Sequence, residues 1–112
     1  INTASLDELN SRLDEPVGAD RFRANIVVQG ASAYHEDTWK QVRINYVDCT
    51  VPKATGRCVM TTINQQTAIS SKEPLRTLAQ YRTIQNKTLF GVYLIHQQKY
   101  GVLNVGDEVI IL

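Results

Sequence analysis

The sequence predicts a mostly β fold with two short helices, in the α+β class and shaped as a small, mainly antiparallel β-barrel. Apolar runs that alternate with polar residues outnumber the segments with helical periodicity. The length of 112 residues fits one domain, which at this size buries roughly two-thirds of its unfolded surface on folding. We therefore expect residues 1–112 to form a single domain around one compact core.

The first predicted helix begins at Ser5. Ser5 and Glu8 have the spacing of a capping box, in which each side chain bonds a backbone amide near the other. Leu6, Leu9 and Leu13 then recur at the spacing that places side chains on one helix face. We expect this face to pack on the core.

The second predicted helix begins at Pro74, because the first turn of a helix tolerates proline. Its apolar stripe consists of Leu75, Leu78 and Ala79, and the helix reaches about Arg82. A polar loop is predicted to follow, over residues 83–88.

The clearest strand signal is a hairpin, in which Val42 and Ile44 alternate with polar residues before a tight turn at Asn45-Tyr46. Cys49 follows this turn in phase with the valines on either side of it, so the sequence predicts a buried thiol. The other strand candidates are residues 25–28, 58–62, 89–96, 102–105 and 108–112.

Composition argues against several classes of function. The 12 Lys and Arg residues against 11 Asp and Glu give a net charge of +1, too little to predict nucleic-acid or anionic-membrane binding. Cys49 and Cys58, with His35 and His96, lack the paired spacing of a zinc site.

No run of apolar residues is long enough to span a membrane, so we expect a soluble, cytoplasmic protein with reduced thiols. Because the chain begins at Ile1 rather than Met, we expect a piece of a longer protein.

Cys58 is the residue best placed for chemistry. Gly56 allows a sharp turn that opens the chain before it, so we expect the Cys58 thiol to be reachable at a pocket mouth. Arg57 places a positive charge beside it. This charge favours the thiolate that metal ligation or persulfide chemistry requires, and a thiolate is a soft metal ligand. The alternative is a structural cysteine, which is the commoner role of a single thiol in a domain.

A second polar segment lies upstream, where Arg21, Arg23 and Asn25 precede a predicted strand. Two guanidinium groups and an amide suit the binding of a phosphate. The alternative is a run of solvated surface residues with no ligand.

Four motifs together resemble the MOSC domain, in an order and spacing that cover nearly the whole chain. They are Arg21-Phe22-Arg23-Ala24-Asn25-Ile26-Val27-Val28, Thr55-Gly56-Arg57-Cys58-Val59-Met60-Thr61-Thr62, Lys72-Glu73-Pro74-Leu75-Arg76-Thr77-Leu78 and Val105-Gly106-Asp107-Glu108-Val109. The resemblance is to the group that contains the mitochondrial amidoxime-reducing enzymes and the bacterial YcbX-type proteins. It implies a MOSC-type β-barrel and a molybdenum-pterin cofactor.

The resemblance also implies a role for each matching residue. Cys58 is implied as the molybdenum ligand and catalytic centre. Tyr93 and Asp107 are implied as further catalytic residues near the metal, each suited to supply a proton. The implied cofactor-binding residues are Arg21, Arg23, Asn25, Arg57, Thr61 and Thr62.

Some of these positions have a structural interpretation as well. Ala24 replaces the proline of the family's R-F-R-P-N motif, which loosens the backbone before Asn25. Asp107 is equally a turn residue after glycine. Thr61 and Thr62 are ordinary strand formers, and only one of them points inward if their segment is a strand.

The function that the resemblance implies is an oxidoreductase that reduces small N-hydroxylated compounds. Its implied partners are a preceding β-rich domain that completes the cofactor pocket and an electron donor, such as a fused ferredoxin-like iron–sulfur domain. The isolated piece is expected to be inactive and without cofactor. Alternatives are a sulfur carrier that uses a Cys58 persulfide in cofactor maturation, beside a pyridoxal-phosphate domain, and a cofactor-binding module without catalysis.

Overall fold

The computed structural model describes all of residues 1–112 and confirms the α+β class. The helices and strands are α1 Thr3–Ser11, β1 Gln41–Ile44, β2 Val47–Thr50, β3 Ala54–Gly56, α2 Leu75–Tyr81, β4 Thr83–Ile84, β5 Lys87–Val92, β6 Ile95–His96 and β7 Val109–Ile111. Three short 3₁₀ helices lie at Ala19–Phe22, His35–Thr38 and Val59–Thr62. Neither α-helix has the length and apolar character that crossing a bilayer requires.

The strands form two sheets, and all of their pairings are antiparallel, as predicted. One sheet has four strands in the order β6-β2-β1-β7, and the other has three in the order β3-β5-β4. The two sheets share no strand, so their hydrogen bonds do not close them into a barrel.

The predicted hairpin is confirmed by the pairing of β1 with β2. Asn45 and Tyr46 both have positive φ angles, 46° and 66°, the backbone that two-residue hairpin turns favour. Val42 pairs directly with Cys49, and the two share a buried face on which Cys49 is 4% exposed. Burial raises the pKa of the Cys49 thiol because the apolar surroundings disfavour the thiolate.

Helix α1 begins earlier than predicted, and the expected capping box is wrong. The capping side chain is that of Asn2, whose Oδ1 accepts a hydrogen bond from the Ala4 amide at 3.1 Å. The Ser5 hydroxyl instead donates to Glu36 Oε1 at 2.6 Å, while Glu8 binds an arginine one turn later. The competing tertiary bond to Glu36 thus removes Ser5 from the role that its spacing suggests.

Helix α2 follows Pro74 and ends at Tyr81, close to the predicted bounds. Its predicted stripe is wrong at Ala79, which is exposed, whereas Thr77 is buried. The Thr77 hydroxyl donates to Glu73 Oε2 at 2.6 Å, and the Thr77 amide donates to Glu73 Oε1 at 2.9 Å. These bonds satisfy a polar group that would otherwise be costly to bury.

Three predicted strands are absent, namely 25–28, 102–105 and the 58–62 segment described below, and one predicted loop contains strands. Residues 25–28 make only an isolated bridge between Val28 and Asn2, and residues 102–105 are not in a strand. The polar segment after α2 is instead a hairpin of β4 and β5, with Gln85 and Asn86 at positive φ. The sequence carries no alternating strand signal here because both residues of β4 and the first residue of β5, Lys87, are exposed.

The buried apolar residues form two clusters rather than the single core that we expected. One contains Leu9, Phe22, Leu78 and Phe90, and the other contains Trp39, Val42, Val47 and Cys49. Leu6 and Leu13 pack against the first cluster, as the helical spacing predicts. Two sheets without a common strand each bury their own apolar face, which explains the division. The Phe22 and Phe90 rings stack in the first cluster with their centroids 4.4 Å apart, and Phe22 also lines the cavity described below.

Candidate functional site

Cys58 lies in the loop after β3, where it precedes the 3₁₀ helix Val59–Thr62. The prediction of a strand here is wrong. The Thr61 hydroxyl donates to the Cys58 carbonyl at 2.9 Å, and the Thr62 hydroxyl donates to the carbonyl three residues before it. Such local bonds from hydroxyls to the backbone compete with strand pairing. Both threonines are therefore buried, at 4% and 5% exposure, rather than pointing to opposite sides.

The two thiols differ in the way that the sequence predicted, since Cys49 is buried and Cys58 is exposed. Cys58 is followed by exposed apolar side chains at Val59 and Met60. The prediction that Cys58 is reachable is therefore confirmed. Its predicted position at a pocket mouth is not, because Cys58 does not line the neighbouring cavity.

Thiol labelling of the native protein is expected to distinguish the two cysteines. Iodoacetamide should modify Cys58 at least about tenfold faster than Cys49, because Cys49 is both enclosed and held in the thiol form by burial. Mass spectrometry of the two cysteine peptides during labelling gives both rates. Equal protection of the two thiols would contradict the placement of Cys58, and labelling in denaturant supplies the fully reactive reference.

Arg57, directly before Cys58, turns its side chain into the protein. Its Nε donates to the Phe90 carbonyl at 2.8 Å, and its Nη1 donates to the Phe22 carbonyl at 2.9 Å. The guanidinium carbon lies 5.2 Å from the centroid of the Phe22 ring. Burial lowers the pKa of Arg57, while the nearby Tyr93 and Cys58 act in the opposite direction.

A cavity of about 270 Å³ lies beside this arginine. Four of the predicted site residues line it, namely Arg23, Asn25, Arg57 and Tyr93. The rest of the wall is mainly apolar and includes side chains from both hydrophobic clusters. The volume is slightly below the roughly 300–1,000 Å³ of small-molecule sites, so this chain presents a small part-polar pocket.

Arg23 and Asn25 carry polar groups in the cavity wall that have no partner within the protein. Arg23 follows the 3₁₀ helix Ala19–Phe22 with a left-handed φ of 51°, and its amide donates to the Asp20 carbonyl at 3.1 Å. Both side chains are exposed, and neither makes an intramolecular hydrogen bond or ion pair. A guanidinium fork and an amide in this state suit an oxyanion ligand.

The remaining predicted residues lie outside the cavity. Arg21 reaches only the Thr61 carbonyl, through a long contact of 3.5 Å. The Asp107 carboxylate accepts the Asn104 amide at 2.7 Å and closes a turn that contains Gly106 at a φ of +98°. The structural interpretation therefore accounts for the geometry of Asp107, and its catalytic role stays a prediction.

Sequence reasoning missed two residues of the cavity region. Glu36 lines the cavity but is only 2% exposed, and burial raises its pKa although the hydrogen bonds from Ser5 oppose this. Gly91 has a φ of +79°, and a side chain there would come within 3.2 Å of Arg57 Nη2. A glycine within a strand pattern is the signal for such a close approach, whereas a glutamate in a polar loop carries no comparable signal.

The side chains present fit a cofactor that brings most of its own metal ligands. No three or more His, Cys, Asp or Glu side chains are grouped to hold a metal ion by themselves. The exposed Cys58 thiol provides one soft donor, and the unpaired Arg23 and Asn25 provide donors for the anionic part of such a group. These residues are consistent with the molybdenum-pterin cofactor.

The sequence profile described as the MOSC domain matches residues 1–110. The chain belongs to the MOSC domain family. The mitochondrial amidoxime reducing component 2 of Bos taurus is 42% identical over 118 residues, which cover 97% of this chain and 35% of that protein. The mitochondrial amidoxime-reducing component 1 of Homo sapiens is 39% identical over 121 residues, covering 100% of this MOSC domain and 36% of that protein.

A third relative of this MOSC domain is not named as an amidoxime-reducing component. The molybdenum cofactor sulfurase of Oryza sativa subsp. japonica is 41% identical over 108 residues, which cover 87% of this chain and 13% of that protein. The chain thus spans about a third of the length of the amidoxime-reducing relatives and a smaller part of the sulfurase.

Proposed function

We propose that this MOSC domain binds a molybdenum-pterin cofactor in an enzyme that reduces small N-hydroxylated compounds. The observation that carries the proposal is the exposed Cys58 thiol directly after Arg57, whose guanidinium lines the same cavity as the free Arg23 and Asn25. A soft ligand thus lies next in sequence to an oxyanion-binding wall. The names of the amidoxime-reducing relatives support this choice of chemistry.

The predicted site residues in and near the cavity have different proposed tasks. Cys58 ligates the metal, and Arg23 and Asn25 bind the anionic and hydrogen-bonding parts of the cofactor. The cofactor, when bound, supplies the two-electron chemistry that removes oxygen from nitrogen. Tyr93 is the better-placed proton donor, because it lines the cavity and its hydroxyl has no partner in the protein. Asp107 is the weaker candidate, because its carboxylate is engaged in its own turn.

Arg21, Thr61 and Thr62 have a supporting task in the proposal. The threonine hydroxyls bond backbone carbonyls in and beside the turn after Cys58, and Arg21 contacts the same turn. They hold the loop on which Cys58 lies. Direct contacts from these three residues to a cofactor stay a prediction of the family resemblance.

A sulfur carrier is the second candidate, and the sulfurase relative favours it. In that function Cys58 would carry a persulfide, with a pyridoxal-phosphate domain as the sulfur source. Molybdenum and pterin analysis of the protein at its full natural length distinguishes the candidates, together with mass spectrometry of the Cys58 peptide. Stoichiometric molybdenum supports the reductase, and a persulfide without metal supports the carrier. A protein that contains neither molybdenum nor a persulfide would contradict both candidate functions. Metal without reduction would leave a cofactor-binding module without catalysis.

Residues 1–112 produced alone are expected to carry far less than one molybdenum per chain. Arg23 and Asn25 offer only part of a cofactor cradle, and the cavity is small. We propose that a preceding β-rich domain supplies the remainder, and that a ferredoxin-like iron–sulfur domain or another donor supplies electrons. Elemental analysis of the purified chain tests this expectation, and a stoichiometric metal content would show that the cradle is complete here. The cytoplasmic location stays a prediction, since the amidoxime-reducing relatives are named as mitochondrial.

A further inference from the structure

Arg57 connects two segments that are distant in sequence. Its backbone amide donates to the Thr88 carbonyl at 2.7 Å, and its Nε donates to the Phe90 carbonyl at 2.8 Å, so it is held twice on β5. Its Nη1 donates to the Phe22 carbonyl at 2.9 Å, at the end of the 3₁₀ helix Ala19–Phe22. One side chain thus joins β5 to that helix.

The two carbonyls that the side chain binds belong to the residue before Arg23 and to the residue three positions before Tyr93. Cys58 follows Arg57 directly. We propose that Arg57 is a positioning residue, which fixes Arg23, Tyr93 and Cys58 relative to one another. In this role it acts through the backbone rather than as one more direct contact to a ligand.

The chemistry of the contact is specific to arginine. A guanidinium presents its donors in a rigid planar fork, so Nε and Nη1 reach two carbonyls at once, which a single ammonium group does not reproduce. Gly91 leaves room for the third nitrogen, since a side chain there would come within 3.2 Å of Arg57 Nη2. The half-buried charge has no carboxylate partner, although burial of an unpaired charge is costly. Packing alone would be better served by an apolar residue.

Arg82 provides a matched control. Its Nε donates to the Leu89 carbonyl at 3.0 Å on the same strand β5, and its Nη2 donates to Asp37 at 2.7 Å. Its guanidinium also lies against an aromatic ring, at 4.3 Å from the centroid of Tyr34. It lies outside the cavity, so R82K removes a comparable arginine fork from β5 without the proposed positioning role.

The test compares R57K with R82K in the protein at its full natural length, with amide hydrogen exchange as the first readout. In R57K the Arg23 and Tyr93 amides are expected to exchange at least about tenfold faster, while the Cys49 amide in the other sheet changes less than about threefold. In R82K the first two amides are expected to change less than about threefold. Unchanged exchange at Arg23 and Tyr93 in R57K, or equal acceleration in R82K, overturns the proposal.

Molybdenum content is the second readout. At comparable melting midpoints, R57K is expected to lose at least about fivefold more molybdenum than R82K, because its cofactor-binding side chains are displaced. R57Q is made in parallel in case R57K folds poorly, and failure of both to fold while R82K folds would make Arg57 a general structural residue and overturn the proposal. The inference rests on the proposed function only for the identity of the ligand, which is the molybdenum cofactor measured in this second readout. A natural protein without molybdenum would therefore contradict the proposed function, while the exchange result still decides the role of Arg57.

Discussion

Under the proposed function, replacing Cys58 by serine is expected to abolish reduction of an N-hydroxylated substrate by the full-length protein and to prevent it from retaining molybdenum. Serine has nearly the shape of cysteine, but its hydroxyl resists deprotonation and is a hard donor that suits this metal poorly. Cys58 is exposed, so the free energy of unfolding should change by less than about 0.5 kcal/mol when both proteins are compared without cofactor, whose binding would itself stabilise the wild type. Turnover and molybdenum content of the purified proteins, and melting midpoints of the cofactor-free proteins, test the three expectations.

Cys49→Ser is the matched control, since it makes the same change at a buried position. It is expected to lower the free energy of unfolding by roughly 1 to 3 kcal/mol, because the serine hydroxyl would be enclosed among Val42, Val47 and Trp39. It should leave molybdenum content per folded molecule unchanged. If Cys58→Ser instead keeps full turnover with full molybdenum occupancy, the ligand assignment fails, and the main residue-level support for the proposed function fails with it.

Phe90→Ala is expected to cause the largest loss of stability in this chain, about 3 to 5 kcal/mol. Phe90 is 0% exposed and stacks on Phe22 at 4.4 Å, so alanine would leave a cavity at the centre of the first hydrophobic cluster. A domain of this size has a total stability of about 5 to 15 kcal/mol, and the loss is therefore a large share of it. Urea unfolding, followed by circular dichroism, measures the change in the free energy of unfolding.

Tyr100→Ala is the control for Phe90→Ala, because Tyr100 is also aromatic but is 89% exposed. This change is expected to alter the free energy of unfolding by less than about 0.5 kcal/mol. A loss below about 1 kcal/mol for Phe90→Ala would show that the first cluster does not contribute as its burial indicates.

The features that the sequence predicted correctly depend on contacts between near neighbours in the chain. The hairpin of β1 and β2 follows from alternation and a two-residue turn, and the same alternation placed Cys49 on the buried face. Helix α2 follows from proline at its start and from the spacing of its leucines. In each case the residues that carry the signal are also the residues that form the contacts.

The incorrect predictions share a different cause, which is competition from a partner distant in sequence or from the backbone itself. Ser5 leaves its expected capping role because Glu36 accepts its hydroxyl hydrogen. Residues 25–28 have strand propensity, but only Val28 forms a β-bridge, with Asn2, and propensity without a paired strand does not make a strand. At Thr61 the hydroxyl bonds a nearby carbonyl and favours a helical turn.

The sequence by itself determined the family, the α+β class, the main hairpin, the buried state of Cys49 and the accessibility of Cys58. These properties are encoded in motifs and periodicities of a few residues, which act over one strand or one helical turn. Only the tertiary structure decided which predicted site residues meet. It brought Arg23, Asn25, Arg57 and Tyr93 to one cavity and left Asp107 in a separate turn. The physical reason is that the meeting depends on carbonyls at Phe22 and Phe90, which every residue type carries and which no sequence pattern therefore marks.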